Sequence, residues 1–248
     1  MTEELFREDA ALFECQATVV ALDEAGLVLD RTVFYPLGGG QAGDAGTLTS
    51  AAGAQLAIAD TRKHPERPGD IMHVPVQPLT DADRAAFAPG TRVTARIDAA
   101  RRRAHMRFHT ATHLLCALVP HAVNGCSITA GYARLDFHMN EPLDKDRLTA
   151  GIARLVAAAH AVSHRWISEA ELDANPALVR SMSVQPPRSA DGLGRIRVLE
   201  IEGVDLQPCG GTHVVNTAEE GDVVVTKIEK KSAMTRRVVL GFAGIAAG

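Results

Sequence analysis

Two short motifs that lie far apart in the chain constrain its fold most strongly, because their chemistry requires them to meet. The first runs from His109 to His113 as His-Thr-Ala-Thr-His, and the second from Cys209 to His213 as Cys-Gly-Gly-Thr-His. Histidines four residues apart on a helix share one face. The two glycines disfavour a helix, so the second motif is expected in a loop. Three imidazoles and a thiolate suit zinc, so we predict a zinc site that joins the two motifs.

Each half of this site has a simpler explanation when it is taken alone. Paired histidines on a helix are often surface residues, but a leucine-rich stretch follows this pair, which predicts a partly buried face and imidazoles that need partners. A single cysteine such as Cys209 is more often a small buried apolar residue, but its spacing to His213 in a glycine-rich loop favours a ligand. His105 lies about 80° around the helix from His113, so we predict it at the surface or behind a ligand.

The overall composition excludes several classes of protein. Hydrophobic residues make up 46% of the 248 residues and aromatic residues 4%, which predicts a globular protein with an aliphatic core. No apolar run reaches the roughly 20 residues of a membrane span, and the acidic N-terminus lacks a secretory signal, so no membrane partner is expected. Irregularly spaced cysteines favour a reducing, cytoplasmic location. The net charge of −4 argues against long, non-specific nucleic-acid binding, so DNA is not an expected partner, but a local RNA contact is compatible with it.

The first part of the chain, residues 1–97, has the pattern of a small β-barrel. Short β-branched or alternating stretches are separated by turn residues, which predicts strands. One helix is expected at residues 80–87, where Thr80 and Asp83 are spaced for a capping box. Six short strands at this spacing are typical of a small barrel. The predicted strands cover residues 13–22, 27–35, 47–50, 55–59, 71–76 and 91–97.

The second part, residues 98–248, is predicted to be a domain of helices and antiparallel sheet, which makes the whole chain α+β. Apolar or small residues recur at helical spacing over residues 98–119, and Pro120 ends that helix. A second helix is expected at 144–161, and strands at 195–200, 222–228 and 237–241. The first metal motif therefore lies on a helix and the second on a loop between strands.

A glycine-rich stretch at residues 38–43 matches the G-x-G-x-x-G pattern of dinucleotide-binding folds. That function requires a helix directly afterwards, whereas a turn and a predicted strand follow here, so we reject a nucleotide site. Two other interpretations remain open. The stretch is either a glycine turn within the barrel or a loop that closely approaches the site of the neighbouring domain.

Basic residues cluster at the start of the first long helix and around a predicted C-terminal hairpin. Solvated faces explain such runs by default. If both runs lie near the site, they bind a phosphate backbone instead, so these residues are also our candidates for RNA contacts. The residues are Arg101, Arg102, Arg103, Lys227, Lys230, Lys231, Arg236 and Arg237.

Four stretches of the chain, in this order, resemble one family. They are Phe-Tyr-Pro-Leu-Gly-Gly-Gly-Gln-Ala-Gly-Asp at 34–44, His-Thr-Ala-Thr-His-Leu-Leu at 109–115, Arg-Leu-Asp-Phe at 134–137 and Cys-Gly-Gly-Thr-His-Val at 209–214. Together they are similar to the editing half of alanyl-tRNA synthetase and, more closely, to the freestanding AlaX trans-editing proteins. The glycine-rich barrel resembles the longer form of AlaX. Synthetases tend to carry glutamine before the small-residue turn that begins at Asn124 here, which implies that Asn124 or Ser127 takes that polar role.

The resemblance implies an aminoacyl-tRNA deacylase that cleaves the ester of mischarged tRNA(Ala), chiefly Ser-tRNA(Ala), with Gly-tRNA(Ala) as an open second substrate. One zinc ion per chain is implied, and its role stays open among ester polarisation, hydroxide formation and substrate positioning. The implied ligands are His109, His113, Cys209 and His213. The implied catalytic residues are His109, His113, Thr110, Asn124 and Gln41, the substrate loop is Gly38, Gly39 and Gly40, and the basic residues above contact tRNA.

Two alternatives from other functional classes stay open. One is a zinc-stabilised RNA-binding module without catalysis, and the other is a zinc hydrolase of a different ester or amide. A structural zinc site needs no cleft, whereas a deacylase needs a groove that admits the end of a tRNA. The oligomeric state is not predicted.

Overall fold

The computed structural model describes residues 1–182, 184–188 and 193–244. The chain forms two compact units. The barrel unit comprises Met1–Gly38 and Ala42–Arg103, and the sheet unit comprises Gly39–Gln41 together with the chain from Ala104 onward. The three residues Gly39–Gln41, called the glycine segment below, thus belong to the sheet unit although residues of the barrel unit flank them in sequence.

The barrel unit contains the predicted closed barrel. Its elements are β1 (Glu3–Glu4), a 3-10 turn (Leu5–Arg7), β2 (Glu14–Leu22), β3 (Leu27–Leu29), β4 (Arg31–Thr32), β5 (Gly46–Ser50), β6 (Gln55–Lys63), β7 (Ile71–Pro75), α1 (Asp81–Ala86) and β8 (Arg92–Ile97). The closed order is β2-β3-β7-β6-β5-β8, and every neighbouring pair is antiparallel. Alternation explains the core, since Leu56 and Ile58 on β6 are buried between exposed neighbours. The barrel prediction is confirmed.

Two local predictions in this unit have different outcomes. The capping box is confirmed, because the Thr80 side chain accepts from the Asp83 N–H and the Asp83 carboxylate accepts from the Thr80 N–H. The single strand expected at 27–35 is wrong, because β3 and β4 are separate and β4 pairs with β1. The break falls at Asp30, whose carboxylate accepts from the backbone N–H of Thr18 at 2.7 Å and of Arg31 at 2.9 Å.

The sheet unit combines helices with two antiparallel sheets, as predicted. Its elements are α2 (Ala99–Leu118, which begins in the barrel unit), β9 (Val123–Ile128), β10 (Ala133–His138), α3 (Lys145–Ala157), β11 (Val162–Ser168), α4 (Glu169–Ala174), a 3-10 turn (Pro176–Leu178), β12 (Arg195–Ile201), β13 (Asp205–Pro208), a 3-10 turn (Thr217–Glu220), β14 (Val223–Ser232) and β15 (Thr235–Phe242). One sheet has the order β14-β15-β10-β9 and the other β11-β12-β13.

One face of the four-stranded sheet supplies the core of this unit. Leu135 on β10 and Leu240 on β15 are buried in the same cluster as Phe108 and Leu115 of α2. Burial of each such side chain is worth roughly 1.5–3 kcal/mol. The core therefore fixes α2, which carries the first metal motif, against the sheet.

Three further observations complete the fold. Helix α3 ends earlier than predicted, because Ala159 adopts a left-handed backbone with φ of 53°. The turn expected at Asn124 is wrong, because Asn124 lies within strand β9 at an irregularity in its pairing with β10. Among the described residues, none of the helices has the length and apolar character that a membrane crossing requires.

Candidate metal centre

Four side chains of the sheet unit converge at one point. Helix α2 carries His109 and His113 one turn apart, and the loop after β13 carries Cys209 and His213. One ligand atom from each residue lies within 4.8 Å of the other three, and all four residues are buried. We call these four residues the metal centre. The prediction that two distant motifs meet is confirmed.

The separations within the metal centre fit a metal ion. Sγ of Cys209 lies 3.4 Å from Nε2 of His109 and 3.2 Å from Nε2 of His213. Tetrahedral zinc with Zn–S of about 2.3 Å and Zn–N of about 2.0–2.1 Å places neighbouring ligand atoms roughly 3.3–3.6 Å apart. The donor set and these two separations therefore suit one zinc ion, and all four ligand atoms lie within 4.8 Å of one another.

The outer nitrogen of each imidazole is held by a different side chain. Nδ1 of His109 lies 2.8 Å from Oε1 of Gln41, and Nδ1 of His113 lies 2.8 Å from Oδ2 of Asp205. Nδ1 of His213 lies 3.2 Å from Oγ1 of Thr110. Such partners fix the ring orientation and leave Nε2 for a metal.

Electrostatics favour the ligand form of the thiol. Burial by itself raises the pKa of Cys209, but the neighbouring His109 and His213 outweigh it and hold that pKa well below its usual value. Burial and, after it, the charge of His109 lower the pKa of His213 to about 3. Burial alone lowers the pKa of His113, but bonds to Asp205 and Cys209 outweigh it and raise that pKa to about 10. The lowered pKa values of Cys209 and His213 favour the thiolate and the neutral imidazole that a metal requires, and a bound metal would displace the proton that the raised pKa of His113 favours.

Glycine is required where the second motif passes the helix. A Cβ atom on Gly211 would lie 2.1 Å from Cε1 of His109 and 3.0 Å from Oε1 of Gln41. Because no side chain fits into that space, Gly211 allows the backbone of the loop to lie against the imidazole. This close approach brings Cys209 and His213 within reach of the helix.

The glycine segment brings a polar side chain to the metal centre. Gly40 has φ of 85°, and a Cβ atom there would lie 2.7 Å from Sγ of Cys126. Its carbonyl accepts from the Ile128 N–H at 2.7 Å, and Gln41 forms a parallel bridge with Ile128. Gln41 then reaches His109 and also donates from Nε2 to Oγ1 of Thr212 at 2.9 Å. Of the two open interpretations, close approach therefore describes Gly40.

The predicted catalytic residues occupy different environments. Gln41 and Thr110 are fully buried, and both bind imidazoles of the metal centre from behind. Asn124 is exposed on β9. His105 is fully buried, so of the two positions predicted for it, at the surface or behind a ligand, the surface position is excluded. Sequence reasoning missed Asp205, for which only its place four residues before Cys209 offered a weak signal.

Arg102 does not occupy the surface position that was predicted for a tRNA contact. Its side chain is fully buried within the barrel unit. Its Nε donates to Oδ2 of Asp44 at 3.0 Å, its Nη1 to the Ala10 carbonyl at 2.8 Å and its Nη2 to the Val33 carbonyl at 2.5 Å. A guanidinium that is bound in this way cannot bind a phosphate, so the prediction for Arg102 is corrected.

The other predicted cations near the start of α2 are more accessible. Arg101 donates from Nη2 to the Gly43 carbonyl at 3.0 Å, which occupies part of its guanidinium. Arg103 is exposed, and its guanidinium lies over the ring of Phe13 at 4.9 Å. The chain therefore keeps one exposed arginine of the run of three.

The C-terminal hairpin of β14 and β15 separates its predicted cations into two groups. Arg236 is 8% exposed and donates to the Asn140 carbonyl. Arg237 binds Asp136 through Nε at 2.7 Å and Nη2 at 2.8 Å. These two arginines are therefore engaged within the sheet unit. The exposed cations of β14 are Lys227, Lys230 and Lys231.

Comparison with the sequences of known proteins shows the family of this chain. The chain is 34% identical over 248 residues to the alanyl-tRNA editing protein AlaX-M of Methanosarcina barkeri. The aligned region covers 96% of this chain and 98% of the relative. The chain belongs to the AlaX-M family. A second AlaX-M protein, from Saccharolobus solfataricus, is 30% identical over 243 residues and covers 96% of this chain and 98% of the relative. The predicted resemblance to the longer AlaX form is confirmed.

Further matches agree with AlaX-M membership. The alanine–tRNA ligase of Methanothermobacter thermautotrophicus is 35% identical over 239 residues, which cover 92% of this chain and 25% of the ligase. The family model for the threonyl and alanyl tRNA synthetase second additional domain matches residues 196–239, which contain Cys209 and His213. The model for class II (A) tRNA synthetases matches residues 8–101.

Proposed function

We propose that this AlaX-M protein hydrolyses the ester of Ser-tRNA(Ala) and that its metal centre holds one zinc ion that this reaction requires. Membership of an alanyl-tRNA editing family makes the chain an aminoacyl-tRNA deacylase. The observation that carries the zinc requirement is the convergence of four buried ligand atoms within 4.8 Å of one another. We further assign the barrel domain to residues 1–97 and the editing domain to residues 98–248, which the two compact units support.

Chemistry explains why serine is the expected substrate side chain. A site that accepts alanine cannot strongly reject a side chain that adds one hydroxyl, so an error remains after aminoacylation. A second site that binds this hydroxyl removes the error, because alanine leaves the polar groups of that site unpaired. Glycine is the alternative substrate.

Zinc, when bound, supplies a Lewis acid for an ester carbonyl or a water. The residues of this chain orient the ligands around it. Gln41, Asp205 and Thr110 each hold the outer nitrogen of one imidazole, so all three rings present Nε2 to the same point. All four ligand residues are buried, so the surrounding protein holds them in place around the centre.

Contacts with substrate fall to residues that the ligand network does not use. Because Gln41 and Thr110 hold imidazoles, we assign recognition of the serine hydroxyl to Asn124, which is exposed on β9. We keep Gly38, Gly39 and Gly40 as the loop nearest the aminoacyl group. The exposed cations that we assign to phosphate contacts are Arg103, Lys227, Lys230 and Lys231.

The test is a deacylation assay on the full chain with Ser-tRNA(Ala), Gly-tRNA(Ala) and Ala-tRNA(Ala) as separate substrates. We expect hydrolysis of the seryl ester, little of the alanyl ester, loss of activity after zinc removal and recovery when zinc is restored. His113→Ala should abolish activity, whereas His138→Ala, which alters an exposed histidine on β10, should not. Binding of tRNA without hydrolysis would favour a zinc-stabilised RNA-binding module, and full activity without metal would remove zinc from the mechanism.

A further inference from the structure

A buried arginine holds both sides of the loop that carries the thiol ligand. Arg197 lies on β12 and is 3% exposed. Its Nη1 donates to the carbonyl of Cys209 at 2.9 Å and to the carbonyl of Gly211 at 3.3 Å. The backbone carbonyl of Arg197 also accepts from the Cys209 N–H at 3.1 Å. One residue of a central strand therefore fixes the peptide groups before and after Cys209.

The same contacts continue from the loop to a histidine on the helix. The carbonyl of the peptide between Gly211 and Thr212 accepts from Arg197, and the N–H of that peptide donates to Oε1 of Gln41 at 3.1 Å. Because the carbonyl and N–H of a trans peptide point in opposite directions, the two bonds fix this peptide plane from both sides. Oε1 of Gln41 also accepts from Nδ1 of His109 at 2.8 Å. Arg197 is thus joined to His109 through the loop.

A restraint of this kind matters because the loop contains two adjacent glycines. Glycine loses more conformational freedom on ordering than any other residue, so a glycine loop does not hold its ligands in place by itself. The planar guanidinium of arginine presents several N–H donors in a fixed fork, whereas lysine carries a compact ammonium on a flexible stem. Arginine is therefore better suited to hold two carbonyls at once.

We propose that Arg197 is a positioning residue that sets the zinc affinity of the metal centre by fixing Cys209 and Gly211 against His109. This inference rests on the proposed zinc binding. Arg197 acts through the backbone of the loop and through Gln41.

The experiment measures the dissociation constant of Zn²⁺ by competition with a chelator, on the full chain as wild type and as Arg197→Met, Arg197→Lys and Arg195→Met. Loss of an outer partner of a metal site typically weakens binding about 10–100-fold, and we expect this for Arg197→Met. Arg197→Lys should recover part of the affinity. Arg195→Met changes an exposed arginine on the same strand and should bind zinc as the wild type does.

A second readout separates positioning from a purely structural role. Co²⁺ in place of zinc gives a thiolate-to-metal absorption band that reports ligation by Cys209, and this band should weaken in Arg197→Met while circular dichroism shows a folded chain. If Arg197→Met does not fold, the measurement on Arg197→Lys decides. Wild-type zinc affinity and an unchanged cobalt band in a folded Arg197 variant would overturn the positioning role of Arg197 and leave the proposed zinc binding intact. Failure of the wild-type chain to bind zinc would overturn the proposed metal requirement as well.

Discussion

Each unit of the molecule buries a polar cluster, and the two clusters differ in how their atoms are paired. In the barrel unit, Arg102 donates to Asp44 and to two backbone carbonyls, and Asp44 also accepts from the Tyr35 N–H at 2.7 Å. The guanidinium thus finds both its counter-charge and its hydrogen-bond acceptors within the unit. This cluster is closed, because partners from the chain occupy the guanidinium and both carboxylate oxygens.

In the sheet unit, the inner atoms of the metal centre lie against one another, with Sγ of Cys209 3.2 Å from Nε2 of His213. The outer nitrogens of the three imidazoles bind Gln41, Asp205 and Thr110, while three Nε2 atoms and one sulfur point at each other. The sulfur and the imidazole nitrogens are all ligand types that zinc prefers, so one cation would contact all four of them. Burial alone therefore does not mark a functional site. The marker is a set of buried atoms that share one chemical role and face each other.

The largest expected effect tests the metal centre. Replacing Cys209 or His113 with alanine removes one of four ligands, so zinc affinity should fall by ~10³-fold or more, above the roughly 10–100-fold that loss of an outer partner costs. Chelator competition on the full chain measures the effect. His138→Ala serves as the control, because this histidine is exposed. Unchanged affinity in Cys209→Ala would remove that residue from the ligand set.

The next effect tests the buried pair of Arg102 and Asp44 in the barrel unit. Asp44→Asn leaves the buried Arg102 without its counter-charge, which should lower the free energy of unfolding by about 3–5 kcal/mol. Denaturant unfolding measures the loss, and Arg103→Met, an exposed neighbour on α2, should change stability little. Zinc affinity of the folded variant should stay at the wild-type value. A variant with normal stability and weakened tRNA binding would return Arg102 to the phosphate contacts.

A buried imidazole in the barrel unit offers a third test. His73 contacts Oγ1 of Thr32 at 2.8 Å and the Leu27 carbonyl at 3.2 Å, and burial lowers its pKa to about 4, against the opposing effect of the Leu27 bond. Below pH 6.5 His73 binds a proton in the unfolded chain but not in the folded chain. The free energy of unfolding should therefore decrease as the pH is lowered from 7 towards 4. The expected loss is about 3 kcal/mol between pH 7 and pH 4.

The measurement compares unfolding free energies of the wild type and His73→Gln at several pH values. The wild type should lose more stability than the variant on acidification, because only the wild type carries the imidazole. Equal slopes for the two proteins would show that His73 does not stay neutral in the folded barrel. That result would mean that the buried polar groups of the barrel unit are not all neutral or paired within the unit.

A smaller effect is expected from the outer partners of the metal centre. Asp205→Asn retains the shape of the side chain but removes the negative charge next to His113, so zinc affinity should fall about 10–100-fold. Asp173→Asn, at an exposed position of α4, is the matched control. Zinc competition shows the difference. Equal affinities would mean that the imidazole is oriented by packing alone.

The smallest effect concerns the exposed cations. Lys230→Glu should raise the KM for Ser-tRNA(Ala) and reduce the salt dependence of tRNA binding by about 0.7–0.9 in the slope of log affinity against log salt. Hydrolysis of a short serine ester, which has no phosphates, should be nearly unchanged. If both substrates lose activity equally, Lys230 supports the fold instead of contacting tRNA.

The sequence predicted the elements whose evidence is local. Helix α2 follows from its apolar spacing and the following Pro120, and the metal ligands follow from two short motifs whose side chains have one obvious shared chemistry. The partners of these residues were not predictable in the same way. Arg102 resembles any arginine in a basic run, and only the fold brings Asp44, 58 residues away in sequence, to its guanidinium.

The same limit applies to the outer partners of the metal centre. Gln41 reaches His109 because the glycine segment leaves the barrel sequence and bridges to Ile128 on β9, a contact that no periodic pattern encodes. Strand β9 was itself obscured, because Asn124 and the glycine after it have the composition of a turn. Pairing with β10 overrides that local preference.

We expect one zinc ion to complete the metal centre, and X-ray absorption at the zinc edge tests this on the full chain after zinc is added to one equivalent. The spectrum should show one sulfur neighbour at about 2.3 Å and three nitrogen neighbours at about 2.0–2.1 Å. The sulfur neighbour should disappear in Cys209→Ser. A folded wild-type chain that retains no zinc, or that holds it through oxygen atoms alone, would show that these four residues are not a zinc site.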